Sequence, residues 1–257
     1  MTNLFLSVVV PSYNETENIK RGALDEINSY LSSQKYGWEV IVSDDGSPEQ
    51  ESRALAKEYC EKHADFIFLQ NDHAGKPFAI WSAIQKAKGK IVLFTDMDQS
   101  SPISEVEKLL PFYEKGYHVV IGSRGTERKN SSVFRLLASS AFRELRRALL
   151  LRNIIDTQAG FKSLDKTVAM EVFPKMRIIR TGPVMTKGWR VGAWDVEMLF
   201  IVQKLGYKIA EVPVAWANRD VSTGKKSGGS KFIHESLEML KEILKVRLND
   251  MGGYYSK

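Results

Sequence analysis

The sequence predicts an α/β fold with a mostly parallel central sheet, flanked by helices and followed by a C-terminal amphipathic helix. Three observations predict it. Short continuous apolar runs recur along the first hundred residues, polar-apolar segments of helical length separate them, and each run stops at a cluster of Asp, Glu, Asn or Tyr. Continuous apolar strands joined by helices mark a parallel sheet covered on both faces. The carboxyl edge of such a sheet is where open α/β folds bind ligands.

The first strand, Leu6–Val10, ends at Pro11-Ser12-Tyr13-Asn14-Glu15 and leads into a helical segment over Glu17–Leu31. The second, Trp38–Val42, ends at Ser43-Asp44-Asp45-Gly46-Ser47, ahead of a helix over Pro48–Lys62. His73-Ala74-Gly75-Lys76-Pro77 precedes an amphipathic helix over Phe78–Lys88, and Pro77 suits a first helical turn. A further apolar run, Ile91-Val92-Leu93-Phe94-Thr95, stops at Asp96-Met97-Asp98-Gln99.

Asn14, Asp45 and Ser47 are also good helix caps, and Asp-x-Asp alone is a weak signal. Three polar strand ends on one edge are harder to assign to capping alone; together they describe a nucleotide-sized crevice. Carboxylates at i and i+2 converge and repel unless a cation or proton lies between them. A hard divalent ion with oxygen ligands, Mg²⁺ or Mn²⁺, satisfies that requirement, and such ions commonly hold phosphates as well.

Later segments add a helix over Val196–Leu205, with Asp195 as its cap or as a site acid, and a helix over residues 231–248. On the latter, Ile233, Leu237, Leu240, Leu244 and Leu248 form one stripe, suited either to a membrane interface or to packing on the body of the protein. Asn218–Ser230, rich in Gly, Ser, Lys and Thr, reads as a mobile loop, as do Arg124–Ser132 and Arg177–Ala193.

At 257 residues the chain suits one large α/β domain or two tightly joined halves. The single cysteine, Cys60, excludes an internal disulfide framework and fits a reducing cytosol. No signal peptide and no apolar run of membrane-spanning length is visible, so a cytoplasmic or peripheral membrane protein is expected. The net charge of +6 is concentrated: Arg124, Arg128, Lys129, Arg135, Arg143, Arg146, Arg147 and Arg152 stand against Glu127 and Glu144. Such a cluster suits phosphates or anionic lipid headgroups. No DNA- or RNA-binding module accompanies it, so nucleic acid is not an expected partner. Ala148–Leu151, beside these arginines, is a second candidate for shallow membrane contact.

Val8-Val9-Val10-Pro11-Ser12-Tyr13-Asn14-Glu15, Val42-Ser43-Asp44-Asp45-Gly46-Ser47 and Asp96-Met97-Asp98 resemble the inverting family 2 glycosyltransferases, whose fold is the Rossmann-like GT-A. Ile121-Gly122-Ser123-Arg124, Asp156-Thr157-Gln158-Ala159-Gly160-Phe161-Lys162, Trp194-Asp195-Val196-Glu197 and Gly229-Ser230-Lys231 narrow the resemblance to polyprenyl-phosphate sugar synthases. Within them the chain looks more similar to dolichyl-phosphate β-glucosyltransferases than to mannose synthases.

The resemblance implies a glycosyltransferase domain over 1–217, with a nucleotide-sugar half to about residue 100 and an acceptor half from 101. A basic mobile loop and amphipathic helix would follow over 218–257. It implies a nucleotide pocket of Pro11, Tyr13, Glu15, Asp44, Asp45, Lys76 and Asp96, and a metal held by Asp98 and Asp96 with Gln99 beside them. Pro77 stands where relatives have glycine. Acceptor phosphate contacts fall on Arg124, Arg135, Asp156, Gln158, Arg219 and Lys231, and Asp98, Asp96, Asp195 and Arg124 carry the chemistry.

The donor implied is UDP-glucose and the acceptor a polyprenyl or dolichyl phosphate at the cytoplasmic membrane surface. GDP-mannose as donor, or a sugar hydroxyl as acceptor, remain the alternatives. They differ chemically: a hydroxyl needs a base to remove its proton, whereas a phosphate is already ionised and needs cations to position it.

Overall fold

The computed structural model describes residues 4–124, 151, 154–182, 194–222 and 229–255, with side chains from residue 240 onward in the last stretch. Strands β1 (Leu4–Ser12), β2 (Gly37–Asp44), β3 (Phe66–Gln70), β4 (Ile91–Phe94), β5 (Val119–Ser123), β6 (Lys162–Asp165) and β7 (Ile209–Pro213) form one sheet in the order β3-β2-β1-β4-β6-β5-β7. All neighbouring pairs are parallel except those of β6, which runs antiparallel to both β4 and β5.

The strands are mostly apolar because both sheet faces are covered; the buried Ser7 of β1 and Glu39 of β2 satisfy one another, the Ser7 hydroxyl donating to Glu39 Oε1 at 2.6 Å. Alternate side chains point to opposite faces. Leu6, Val8 and Val10 of β1 pack with Val40 and Val42 under α2 (Ala23–Ser32), on Leu24, Ile27 and Leu31. Val9, Ile41, Val92 and Phe94 pack on the other face against Ile80, Ala83 and Ile84 of α4 (Lys76–Lys86). That second core also takes in α7 (Lys166–Val172) and α9 (Trp194–Lys204).

The structure moves several expected boundaries. The helix expected over Glu17–Leu31 is two, α1 (Thr16–Lys20) and α2, because Gly22 adopts φ +89° between them, a conformation glycine tolerates and a helix does not continue through. Helix α3 is Gln50–Lys62, since Pro48 and the extended Glu49 precede it. Helix α9 starts at Trp194, so Asp195 sits inside its first turn rather than capping it. Among the described residues there are also short helices α5 (Val106–Leu109), α6 (Pro111–Glu114) and α8 (Arg177–Arg180), and the long α10 (Gly229–Met251).

Of the apolar stripe expected on the last helix, Leu244 and Leu248 are exposed, and the buried face is made by residues off that stripe. Ile243 and Val246 of α10 are buried in the core beside α9. Leu244 (46%), Leu248 (65%) and Met251 (74%), one turn apart on another face, are exposed. Tyr255 donates from its hydroxyl to Glu197 Oε1 at 2.7 Å and ties the end of the chain to α9. Leu151, expected in a membrane-contacting stretch, is fully buried in that same core; residues 148–150 lie outside the described residues. Cys60 is buried, with its thiol pushed up to about 12 by burial, which fits an inert structural thiol. Among the described residues no helix is long and apolar enough to cross a membrane.

Candidate active site

Register alone brings the site together. Ser12 lies opposite Asp44, Asp44 opposite Gln70, Val9 opposite Phe94, Phe94 opposite Lys162, and Ile121 opposite Lys162. The carboxyl ends of β1, β2, β4 and β5 and the first residue of β6 therefore share one edge. Tyr13, Asp45, Asp96, Asp98, Arg124 and Lys162 follow from that edge.

On the β1–β2 side, Tyr13 stacks on His73 with centroids 4.7 Å apart and planes inclined by 25°. Asp45 is buried and organises the loop ahead of α4: its Oδ1 accepts the Ala74 and Gly75 N–H groups at 2.9 Å, and Oδ2 lies 3.1 Å from His73 Nδ1. Burial raises the Asp45 carboxyl above its ordinary range, and those backbone donors oppose the rise. Asp44, expected to reach the nucleobase, is fully buried and holds the turn instead, accepting from Ser47 N–H at 3.0 Å and from the Ser47 hydroxyl. Asn14, in the left-handed region at φ 54°, accepts from the N–H of Glu49, the residue just ahead of α3, at 3.2 Å. Glu15 is buried and accepts from Asn18 Nδ2 at 2.6 Å. Pro11 stands partly exposed at the strand end.

Asp96 and Asp98 project beyond β4. Asp96 is partly exposed, and Lys76 Nζ pairs with its Oδ1. Asp98 Oδ1 accepts the Ser100 N–H at 2.8 Å. Burial first, then the Asp96 charge, raise the Asp98 carboxyl above its ordinary range. Among the described residues no set of three or more His, Cys, Asp or Glu forms a metal-holding group. Two convergent hard-oxygen donors, one of them destabilised as an anion by the other, nevertheless fit a divalent cation that completes its shell with ligand oxygens and water.

Gln99 does not extend that donor set. It is fully buried, its Oε1 accepts Ile103 N–H at 3.1 Å, and its Nε2 donates to the Asp96 carbonyl at 2.9 Å. The carboxamide is turned into the backbone and holds the Asp96–Ile103 loop.

On the acceptor side, Arg124 forks onto Asp156, Nε to Oδ2 at 2.7 Å and Nη2 to Oδ1 at 2.9 Å. Its guanidinium also lies 5.8 Å from the ring of the half-exposed Trp216. Arg124 holds the Asp156 carboxyl down to about 2 against the opposing effect of burial. Gln158 N–H donates to Asp156 Oδ1 at 3.2 Å, and Glu211 accepts the Ile155 and Asp156 N–H groups, both at 2.7 Å. Arg219, expected as a phosphate contact, forks onto Glu26 at 2.6 and 2.8 Å. Arg21 joins the same Glu26 and donates to the Asp98 carbonyl at 2.9 Å. Arg135 and the Lys231 side chain lie outside the described residues, as do residues 223–228 of the expected mobile loop.

Sequence reasoning passed over two residues. Lys162, quoted only as part of a motif, is 1% exposed, 3.7 Å from Asp195 Oδ2 and 5.9 Å from the Phe94 ring centroid. Burial lowers this lysine and raises Asp195, and the attraction between them opposes both shifts. A lysine inside the otherwise apolar or small Ala159–Leu164 run was the available signal. Gly160 is the other: a Cβ there would meet Asp96 Oδ2 at 1.9 Å. Glu197, quoted in the same motif as Asp195, is turned away from the site, where it accepts from the Tyr255 hydroxyl and from Arg177 N–H.

The profile of "Glycosyl transferase family 2" matches residues 7–173. Among curated relatives, dolichyl-phosphate beta-glucosyltransferase of Mus musculus is 33% identical, covering 96% of this chain and 76% of its own length. The Saccharomyces cerevisiae enzyme of the same name is 31% identical over 98% of this chain and 77% of its own. Among solved structures, mannosyl-3-phosphoglycerate synthase from Rubrobacter xylanophilus superposes with a TM-score of 0.64 at 18% identity, covering 97% of this chain and 75% of that one. Glucosyl-3-phosphoglycerate synthase from Mycobacterium tuberculosis, in complex with Mn²⁺, UDP-glucose and phosphoglyceric acid, gives 0.62 at 18%, over 95% and 79%. At such identities the structures establish the shared fold, and the profile and curated relatives establish the family. With the Asp-x-Asp pair seated at the carboxyl edge of this sheet, the chain belongs to glycosyl transferase family 2.

Proposed function

We propose that this protein transfers a glucosyl group, with inversion, from UDP-glucose to a polyprenyl or dolichyl phosphate at the cytoplasmic surface of a membrane. The observation that carries the reading is the convergence, on one sheet edge, of a donor-side carboxylate pair (Asp96, Asp98) and an acceptor-side arginine (Arg124). Likeness to dolichyl-phosphate beta-glucosyltransferases along nearly the whole chain supports the sugar and the acceptor.

Tyr13, stacked on His73, offers an aromatic face to the base, and Asp45 fixes the loop that carries His73 and Lys76. Pro11 and Glu15 border the ribose side. Asp96 and Asp98 would hold Mg²⁺ or Mn²⁺, which when bound offsets charge on the departing diphosphate. Lys76, already paired with Asp96, supplies a second cation there. Arg124 uses Nε and Nη2 on Asp156, and its Nη1 can meet the acceptor phosphate. Arg135, Arg219 and Lys231 are further phosphate partners in this reading, with Gln158 beside them, and Asp195 receives hydroxyls of the sugar. A phosphate oxygen attacks the anomeric carbon as its bond to the diphosphate breaks on the opposite face. The nucleophile is already ionised, so no side chain must take a proton.

The outward-facing Leu244, Leu248 and Met251 of α10, with Lys241 and Lys245 nearby in sequence, suit contact with the lipid surface from which such an acceptor must be drawn. A panel of nucleotide sugars with polyprenyl phosphate, with and without chelator, tests the reading. Metal-dependent glucosyl transfer from UDP-glucose to the lipid supports it. Preference for GDP-mannose, or for free sugar hydroxyls, overturns it.

A further inference from the structure

Lys162 is the first residue of β6, at the level of Phe94 and Ile121 on the two flanking strands, and almost no solvent reaches it. A buried ammonium is costly unless it is hydrogen-bonded and paired. Here Nζ donates to the Ala159 carbonyl, lies over the Phe94 ring and faces Asp195 Oδ2 at 3.7 Å. The charges acting on it come from every element around it: Asp195 on α9, Asp156 on the loop before β6, Asp96 beyond β4, and Lys76 at the start of α4, which opposes the other three.

These acids come from three separate stretches of chain; among the described residues Arg124 also acts on all three, but Lys162 is the fully buried cation among them. Asp195 is also buried, and one of its oxygens is held by its own helix through Val196 N–H at 3.0 Å. With that oxygen fixed, the Lys162 contact sets the direction of the second.

We propose that Lys162 is a positioning residue for the transfer reaction, an ammonium beneath the site floor that anchors the Asp195 carboxylate in the orientation that receives the donor sugar. The inference rests on the glucosyl-transfer reading. The ion pair of Lys162 is with Asp195, while Asp96 and Lys76 act on it through charge, so its direct contact bears on the sugar-side acid.

The test is a double-variant cycle on the full chain, with Lys162→Met, Asp195→Asn and the pair together. Each is measured for kcat, for KM toward UDP-glucose and for the Kd of UDP. Wild-type transfer is recorded first, and its absence would remove the functional reading itself. Given wild-type activity, Lys162→Met should lower kcat at least about 100-fold while the Kd of UDP moves less than about threefold. The double variant should match Asp195→Asn alone, because a residue acting through Asp195 adds nothing once that carboxylate is gone. Should Lys162→Met fail to fold with Asp195 left unpaired, the double variant, which removes both charges, carries the comparison. A kcat within threefold of wild type, an equal loss of UDP binding, or a double variant worse than Asp195→Asn by a further 10-fold would each overturn the proposal.

Discussion

Gly160→Ala is the sharpest steric probe of the site. Gly160 is not in a left-handed conformation, so alanine is acceptable to the backbone and the perturbation is the methyl group alone. That methyl would stand 1.9 Å from Asp96 Oδ2 and 2.6 Å from its Cγ, where contacts below 3.0 Å essentially never occur. The Asp96 oxygen must therefore retreat by about 1.1 Å or more. Its side chain is 41% exposed, so it can swing toward solvent, and the cost in fold stability should stay within about 1 kcal/mol. The cost to catalysis should be larger, because misplacing a reacting group by about 1 Å can cost on the order of 100-fold, or about 2.7 kcal/mol. The assay pairs steady-state glucosyl transfer with thermal melting. A melting temperature near wild type with kcat reduced by about two orders of magnitude is expected. Turnover within threefold of wild type would refute the argument that Asp96 must occupy its observed position.

Asp98→Asn should abolish Mn²⁺-dependent transfer by about 100-fold or more, yet raise the metal-free melting temperature at neutral pH, because burial and Asp96 both disfavour the Asp98 anion; Mn²⁺ should then stabilise wild type but not the variant. Asp156, held down to about 2 by Arg124, contributes stability that is present above about pH 4 and lost as pH falls toward 2, a displacement worth about 2.5 kcal/mol. Asp156→Asn should flatten that acid limb in denaturant titrations between pH 5 and 2. Leu244→Ser with Leu248→Ser should leave the melting temperature nearly unchanged, since both side chains are exposed, and should weaken flotation with anionic vesicles severalfold.

The parallel half of the sheet was legible because β1, β2 and β4 are largely apolar runs, broken only by Ser7 and Glu39, whose ends are marked by polar clusters. The break at Gly22 was carried by one residue inside an otherwise helical pattern, which periodicity alone passes over. The antiparallel β6 was not legible: its pairing with β4 and β5 is a long-range choice, and its buried lysine contradicts the apolar signature of a central strand. The same limit applies to the cations. Arg124 and Arg219 were recognisable as basic positions, but their partners Asp156 and Glu26 lie 32 and 193 residues away in sequence. Asp44 and Gln99 have the right chemistry for ligand contact; the turn at Ser47 and the Ile103 N–H claim them, and only backbone geometry reveals that. On α10, apolar spacing was plain in the sequence, while which apolar residues face inward depended on where α9 lies.

The central claim is a single displacement at the anomeric carbon by a lipid phosphate. Its most direct test is the linkage of the product formed by purified protein from UDP-α-glucose and a polyprenyl phosphate in the presence of Mn²⁺, read by NMR of the anomeric proton. The account predicts a β-glucosyl lipid phosphate, with UDP released in equal amount. An α-linked product, or UDP released with no glucosylated lipid, would contradict it.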